Sequence, residues 1–152
     1  MKLVFLVAFL VFSPLFGQIK VDKAGDGWDL KIDSALNLIK SKDPLRYSLL
    51  DSVCSNISFW LSDFSSCNLE KEGGRIYVST KDVKINSINN LAAVLVHESL
   101  HLYIQKNQIS LDPEKEENYC YKYEMSFVNR LPNPEPWLKN HIYEQIANTQ
   151  QK

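Results

Sequence analysis

Apolar residues recur at three- and four-residue spacing through the first third of the chain, at Leu30, Ile32, Ala35, Leu36, Leu38 and Ile39, and predict an amphipathic helix from Trp28 to Lys40. Asp43-Pro44 has the form of a helix start, a capping carboxylate followed by a proline in the first turn, so a second helix is expected to run to about Val53. The pattern then changes. ISFWL (57–61) and RIYVST (75–80) are rich in β-branched and aromatic residues and read as strands, with a turn signal at Gly73-Gly74; the two strands form a hairpin or lie as neighbours. A long apolar helix follows from Ile88 to about Lys106, with Ser87 as its cap. Asp112-Pro113 opens another, with Glu114, Glu116 and Glu117 in a first turn where the helix dipole favours acid. It should end near Arg130, before LPNPEP (131–136), and a last helix from Trp137 to about Ala147 closes the chain. The expected class is α+β, mainly helical, with a small sheet before the long central helix.

Bulk properties narrow the function classes. With 152 residues, 45% hydrophobic and 23% charged, the chain can bury one core. A formal net charge of −1 and the lack of a basic stripe speak against nucleic-acid partners. The first 17 residues stand apart: Lys2, an apolar run from Leu3 to Phe12, a break at Ser13-Pro14 and the small Gly17 match the layout of a secretory signal peptide. The run is too short for a membrane-spanning helix, which needs roughly 20 residues. The expectation is therefore a signal peptide at 1–17, a single domain at 18–152 and a secreted or periplasmic location, without a stable membrane span after cleavage. An uncleaved anchor is the alternative, because Leu15 fits a cleavage site poorly. In an oxidising compartment Cys54 and Cys67 could close a small loop, worth roughly 3 kcal/mol if bonded, and Cys120 is left over, either buried or near a site.

The chemistry concentrates in AAVLVHESLHLYIQ (92–105). Imidazole and carboxylate are costly in an apolar helix unless something satisfies them. His97 and His101 are four apart and so share one helix face, where two imidazoles can be directed at one point. Glu98, offset by one residue, would lie beside a metal there and could act as a general base. This is the HExxH pattern of zinc peptidases. The plain alternative is a pair of hydrogen-bonded core histidines with Glu98 as partner.

A catalytic zinc needs a third protein ligand and an open position. The candidates lie in EKEENYCYKYEMSFV (114–128), where Glu117 and Glu124 are two turns apart on the expected buried side. Glu117 is the expected ligand, and Glu124 the residue that orients a ligand histidine. Glu116 is expected to point outward, and His141, among polar neighbours on the last helix, to be a surface residue.

HESLH, followed sixteen residues after His101 by Glu117, resembles the gluzincin group of zinc metallopeptidases and is similar to its minimal members, the minigluzincins. The resemblance covers about Gly74 to Glu124 and implies a small zincin-like fold. It also implies Zn2+ held by His97, His101 and Glu117, with Glu98 as general base and a peptide or protein as substrate. In several such families the third ligand opens an ExxA pattern; Cys120 stands in the small position here. The resemblance further implies that the strand before the active-site helix is the edge that receives an extended peptide, and RIYVS (75–79) matches that place in order. Two features depart from the larger gluzincins. Tyr121 stands where they often carry an aspartate, and Tyr121, Tyr123 and His141 are all open candidates for the group that stabilises the oxyanion. The rival expectations are a non-catalytic exported zinc-binding domain and a protein-interaction module carried by the aromatic C-terminal half.

Overall fold

The computed structural model describes residues 18–81 and 87–150; the signal-like segment at 1–17 lies outside the described residues. The chain is α+β, mainly helical, with one small mixed sheet. A two-residue strand β1 (Lys20–Val21) leads to α1 (Trp28–Lys42) and α2 (Pro44–Val53). Strands β2 (Cys54–Trp60), β3 (Ser66–Glu70) and β4 (Gly73–Ser79) follow, then α3 (Ile88–Lys106), α4 (Pro113–Val128) and α5 (Pro136–Asn148). No helix among the described residues is long and apolar enough to cross a membrane.

The helix boundaries follow from local capping chemistry. Asp43 ends α1 by donating its backbone N–H to the Ile39 carbonyl (2.8 Å), and its carboxylate accepts from the Arg46 backbone N–H (3.2 Å) to start α2. That buried carboxylate also pairs with the guanidinium groups of Arg46 and Arg130, so one residue joins two helix ends to the far end of α4. Ser87 Oγ caps α3 at Asn90, and Asp112 caps α4 at Glu114 and Lys115. In α1 the buried positions Ile32, Ala35, Leu36 and Ile39 keep the expected period, while Leu30 is exposed.

The sheet is where sequence and structure part. Its strand order is β1-β2-β4-β3; β2 runs parallel to both β1 and β4, and only β3 and β4 pair antiparallel. The hairpin joins β3 to β4 through Lys71-Glu72, and Gly73 opens β4 at φ 121°. Strand β4 is thus interior, with Ile57 of β2 and Cys67 of β3 both paired to Ile76. The expectation that RIYVS (75–79) is the free edge is therefore corrected: the edges are β1 and β3, and β3 is the one beside α3. The same order corrects the pairing of Cys54 with Cys67, which are both free thiols. They lie on strands two apart, a lateral separation of about 9.5 Å, whereas a disulfide needs Cα atoms within about 7 Å.

Side chains alternate across the sheet. Ile57, Ile76 and Val78 are fully buried beneath the helices, and Ser58, Arg75 and Tyr77 lie on the opposite face. There Arg75 donates to Ser58 Oγ (3.1 Å) and pairs with Glu70 (3.1 Å), which also accepts from the Tyr77 hydroxyl (3.0 Å). The long helix α3 lies on the buried face, against α1, α2, α4 and β3. It comes close because residue 74 is glycine: a Cβ there would sit 2.4 Å from the Val53 carbonyl oxygen and 2.6 Å from Leu102. Leu91, Ala92, Leu95, Val96 and Leu102 bury the core side of α3, and Phe127 of α4 fills the space beside it.

Candidate metal centre

Two helices build the site. α3 supplies His97 and His101 one turn apart, and α4 brings Glu117 opposite them. The two Nε2 atoms are 3.2 Å apart, and the Glu117 carboxylate oxygens lie 3.5 Å from His97 Nε2 and 3.4 Å from His101 Nε2. Once both protons are displaced, two Nε2 lone pairs at that separation can converge on one cation. A tetrahedral zinc with ligands at about 2.05 Å requires ligand atoms about 3.3 Å apart. The Nε2–Nε2 separation matches that edge, and Glu117 faces the pair with one oxygen toward each ring, Oε2 toward His97 and Oε1 toward His101. The donor set of two imidazoles and one carboxylate therefore fits zinc in chemistry, and the Nε2 pair fits it in size.

The other ring nitrogens are occupied. His97 Nδ1 donates to Glu124 Oε2 (3.0 Å), and His101 Nδ1 donates to Glu116 Oε1 (2.6 Å). With Nδ1 tied to a carboxylate, Nε2 is left as the metal-facing atom and each ring is held in place. Glu124 stands where it was expected. Glu116 does not: it turns inward to His101 rather than outward to solvent. Helix α4 presents Glu116, Glu117, Cys120, Tyr121 and Glu124 along one stripe, wide enough for adjacent glutamates to reach different nitrogens of one histidine.

Electrostatics reflect this crowding. Burial alone disfavours the charged form of His97, yet hydrogen bonds to Glu117 and Glu124 outweigh it and push its pKa up to about 10. His101 is raised for the same reason by Glu117 and Glu116, again against burial. Glu117, held by His101 and His97, is pushed well below the usual carboxylate range. Glu98 is buried, and burial raises its pKa, while the two histidines and a hydrogen bond from the Cys67 thiol work the other way. A carboxyl raised by desolvation beside a cation site suits proton transfer.

All four residues face a cleft of about 1130 Å³. Its floor is one face of α3, from Asn90 through Val94, His97, Glu98 and His101 to Gln105. One wall is the loop after β2 and the start of β3, where Phe64 is exposed at the rim; the other is α4 and α5, with Trp137 half-exposed. His141 is exposed, as expected, and lines this wall as well. Tyr121 lies against the His97 ring, with centroids 4.6 Å apart, and also faces the cleft. Tyr123 belongs elsewhere, stacked on Arg46 at 4.2 Å. Cys120 is both buried and near the site: one donor atom each from His97, His101 and Cys120 lie within 4.8 Å of one another. Burial first, and then its glutamate neighbours, raise the Cys120 thiol and keep it protonated.

No family model matches the chain, and a search of curated proteins finds no match.

Proposed function

We propose that the chain is an exported zinc metallopeptidase of zincin-like fold, with the segment 1–17 as its export signal. The observation that carries this reading is the pair of Nε2 atoms 3.2 Å apart, the edge of a tetrahedral zinc, faced by the Glu117 carboxylate with Oε1 3.4 Å from His101 and Oε2 3.5 Å from His97. His97, His101 and Glu117 would hold the ion, with Glu124 and Glu116 fixing the two rings. Zinc, when bound, supplies a Lewis acid that makes water acidic enough to lose a proton near neutral pH. Glu98 takes that proton as the water oxygen bonds to the peptide carbonyl carbon, and passes it to the amine nitrogen as the C–N bond breaks. Tyr121 and His141, from the α4–α5 wall, are the groups able to donate to the carbonyl oxygen as it gains charge. The edge strand β3 offers main-chain donors and acceptors to an extended peptide in the cleft. A general base on a buried helix has no purpose in a purely structural zinc site, which favours hydrolysis over simple metal storage.

The test is metal content of the chain from Gln18 to Lys152, alongside His101→Ala and Glu117→Ala. About one zinc per chain, lost in both variants, is expected. Zinc retained in Glu117→Ala would move the third ligand to Cys120, the other donor beside both histidines, and no zinc in the native chain would overturn the reading.

One observation favours a second reading. The proximity of Cys120 to both histidines allows a closed site in which its thiolate takes the position that a substrate needs, giving a non-catalytic zinc protein. Cobalt substitution separates the two, because only a thiolate-ligated cobalt shows an intense near-ultraviolet charge-transfer band, which Cys120→Ser would abolish.

A further inference from the structure

Asn90 lies at the opposite end of the cleft floor from Gln105 and has no part in the metal centre. The residue is buried, at 8% exposure, yet it lines the cleft. Its backbone N–H is used by the Ser87 cap at 3.2 Å, but its side-chain amide makes no hydrogen bond among the described residues. The neighbouring Asn89 shows the contrast: its amide is tied to Glu135 Oε2 at 3.0 Å. The fully enclosed side-chain atoms without a hydrogen bond among the described residues belong to Arg46, Arg75 and Thr80, so the Asn90 amide reaches the cleft, where solvent or a ligand pairs with it.

Between Asn90 and His97, α3 contributes only Val94 to the cleft. An uncharged amide beside a valine suits a neutral partner with one donor and one acceptor, which describes a peptide unit. The distance sets which unit. Asn90 precedes His97 by seven residues, about 10.5 Å along the helix axis, and an extended chain covers that in about three residues. We infer that the Asn90 side-chain amide binds the main chain of the peptide substrate about three residues from the scissile bond, on one side only. This rests on the peptidase reading and gives it a substrate class: extended peptides of at least three residues on that side, held there without regard to side-chain identity.

The experiment uses zinc-loaded native chain, Asn90→Ala and the near-isosteric Asn90→Leu, each checked by thermal melting. Peptides with one to four residues on each side of the cleaved bond form a ladder. In the native chain, adding the third residue on one side should raise kcat/KM about tenfold through KM, the effect of one or two hydrogen bonds. Both variants should lose that step and cleave the shorter peptides at the native rate. A uniform loss at every length would show that Asn90 only supports the helix, and an unchanged ladder would show that it binds nothing; either overturns the inference. If the zinc-loaded native chain cleaves no peptide, the peptidase reading fails separately. The same ladder is then read as binding affinity by calorimetry, where a third-residue gain lost in both variants supports the role of Asn90 and its absence overturns it.

Discussion

Glu124 Oε2 lies 3.0 Å from His97 Nδ1, across 27 positions of sequence and two helices. Both groups are buried, so neither has water to fall back on. Carboxylates in this position fix the ring and raise its basicity, and removing one weakens metal binding about 10- to 100-fold. Glu124→Ala should therefore lower zinc affinity in that range, measured by competition with a chelator. Glu124→Gln should recover part of it, since the amide oxygen still accepts from Nδ1. Affinity unchanged in both would show that the pair is only core packing.

Glu98 makes the opposite prediction. It contacts no metal-facing nitrogen, so Glu98→Gln should keep zinc at native affinity while peptide hydrolysis falls by about 10²- to 10⁴-fold, the usual contribution of a positioned general base. Zinc content and turnover measured on the same preparation decide it. Loss of zinc in this variant would make Glu98 a ligand or a structural support rather than a base.

The elements that could be read from the sequence are those whose cause is local. Ser87, Asp43-Pro44 and Asp112-Pro113 cap their own helices, and the His97–His101 spacing places two imidazoles together by helix geometry alone. Strand β3 was not visible because SCNLE has no β-branched or aromatic residue; it is a strand through its pairing with β4. The positions of Cys54, Cys67 and the free edge all depend on that missing strand. Glu116 and Glu117 differ by one residue on a helix, and which of them faces His101 Nδ1 is set by the rotation of α4 against α3. His141 joins the site through the packing of α5, for which the chain carries no local signal.

At Gly74 the sheet meets both the end of α2, at Val53, and Leu102 of α3. A methyl group there meets the Val53 carbonyl oxygen at 2.4 Å, a backbone atom that cannot rotate away. Gly74→Ala should destabilise the fold by about 1–3 kcal/mol, the usual cost of overpacking, and should lower zinc affinity if α3 shifts relative to α4. Gly25→Ala, where an added Cβ meets nothing within 4 Å, is the control and should change stability by less than about 0.5 kcal/mol. Denaturant unfolding of both reads the difference, and equal midpoints would remove the steric argument.

The charge pattern of the site predicts that zinc and protons compete. In the metal-free chain His97 is raised from an ordinary 6.5 to about 10, so it keeps its proton at neutral pH. Its stabilising effect is full below 6.5 and is lost as pH rises through about 10. Glu117 is depressed, so its effect is present above 4.5 and is lost as pH falls toward its low folded value. The metal-free cluster thus stabilises most between 4.5 and 6.5, and less in alkaline solution. Zinc needs Nε2 without its proton, so its affinity should rise about tenfold per pH unit for each proton displaced. Thermal melts with zinc and with chelator, taken across pH 6 to 8, should show the metal-induced gain growing with pH. Calorimetry in buffers of different ionisation enthalpy should show protons released on binding. A zinc effect independent of pH would mean that the histidines are neutral before the metal arrives, and that the glutamates around them act through geometry alone.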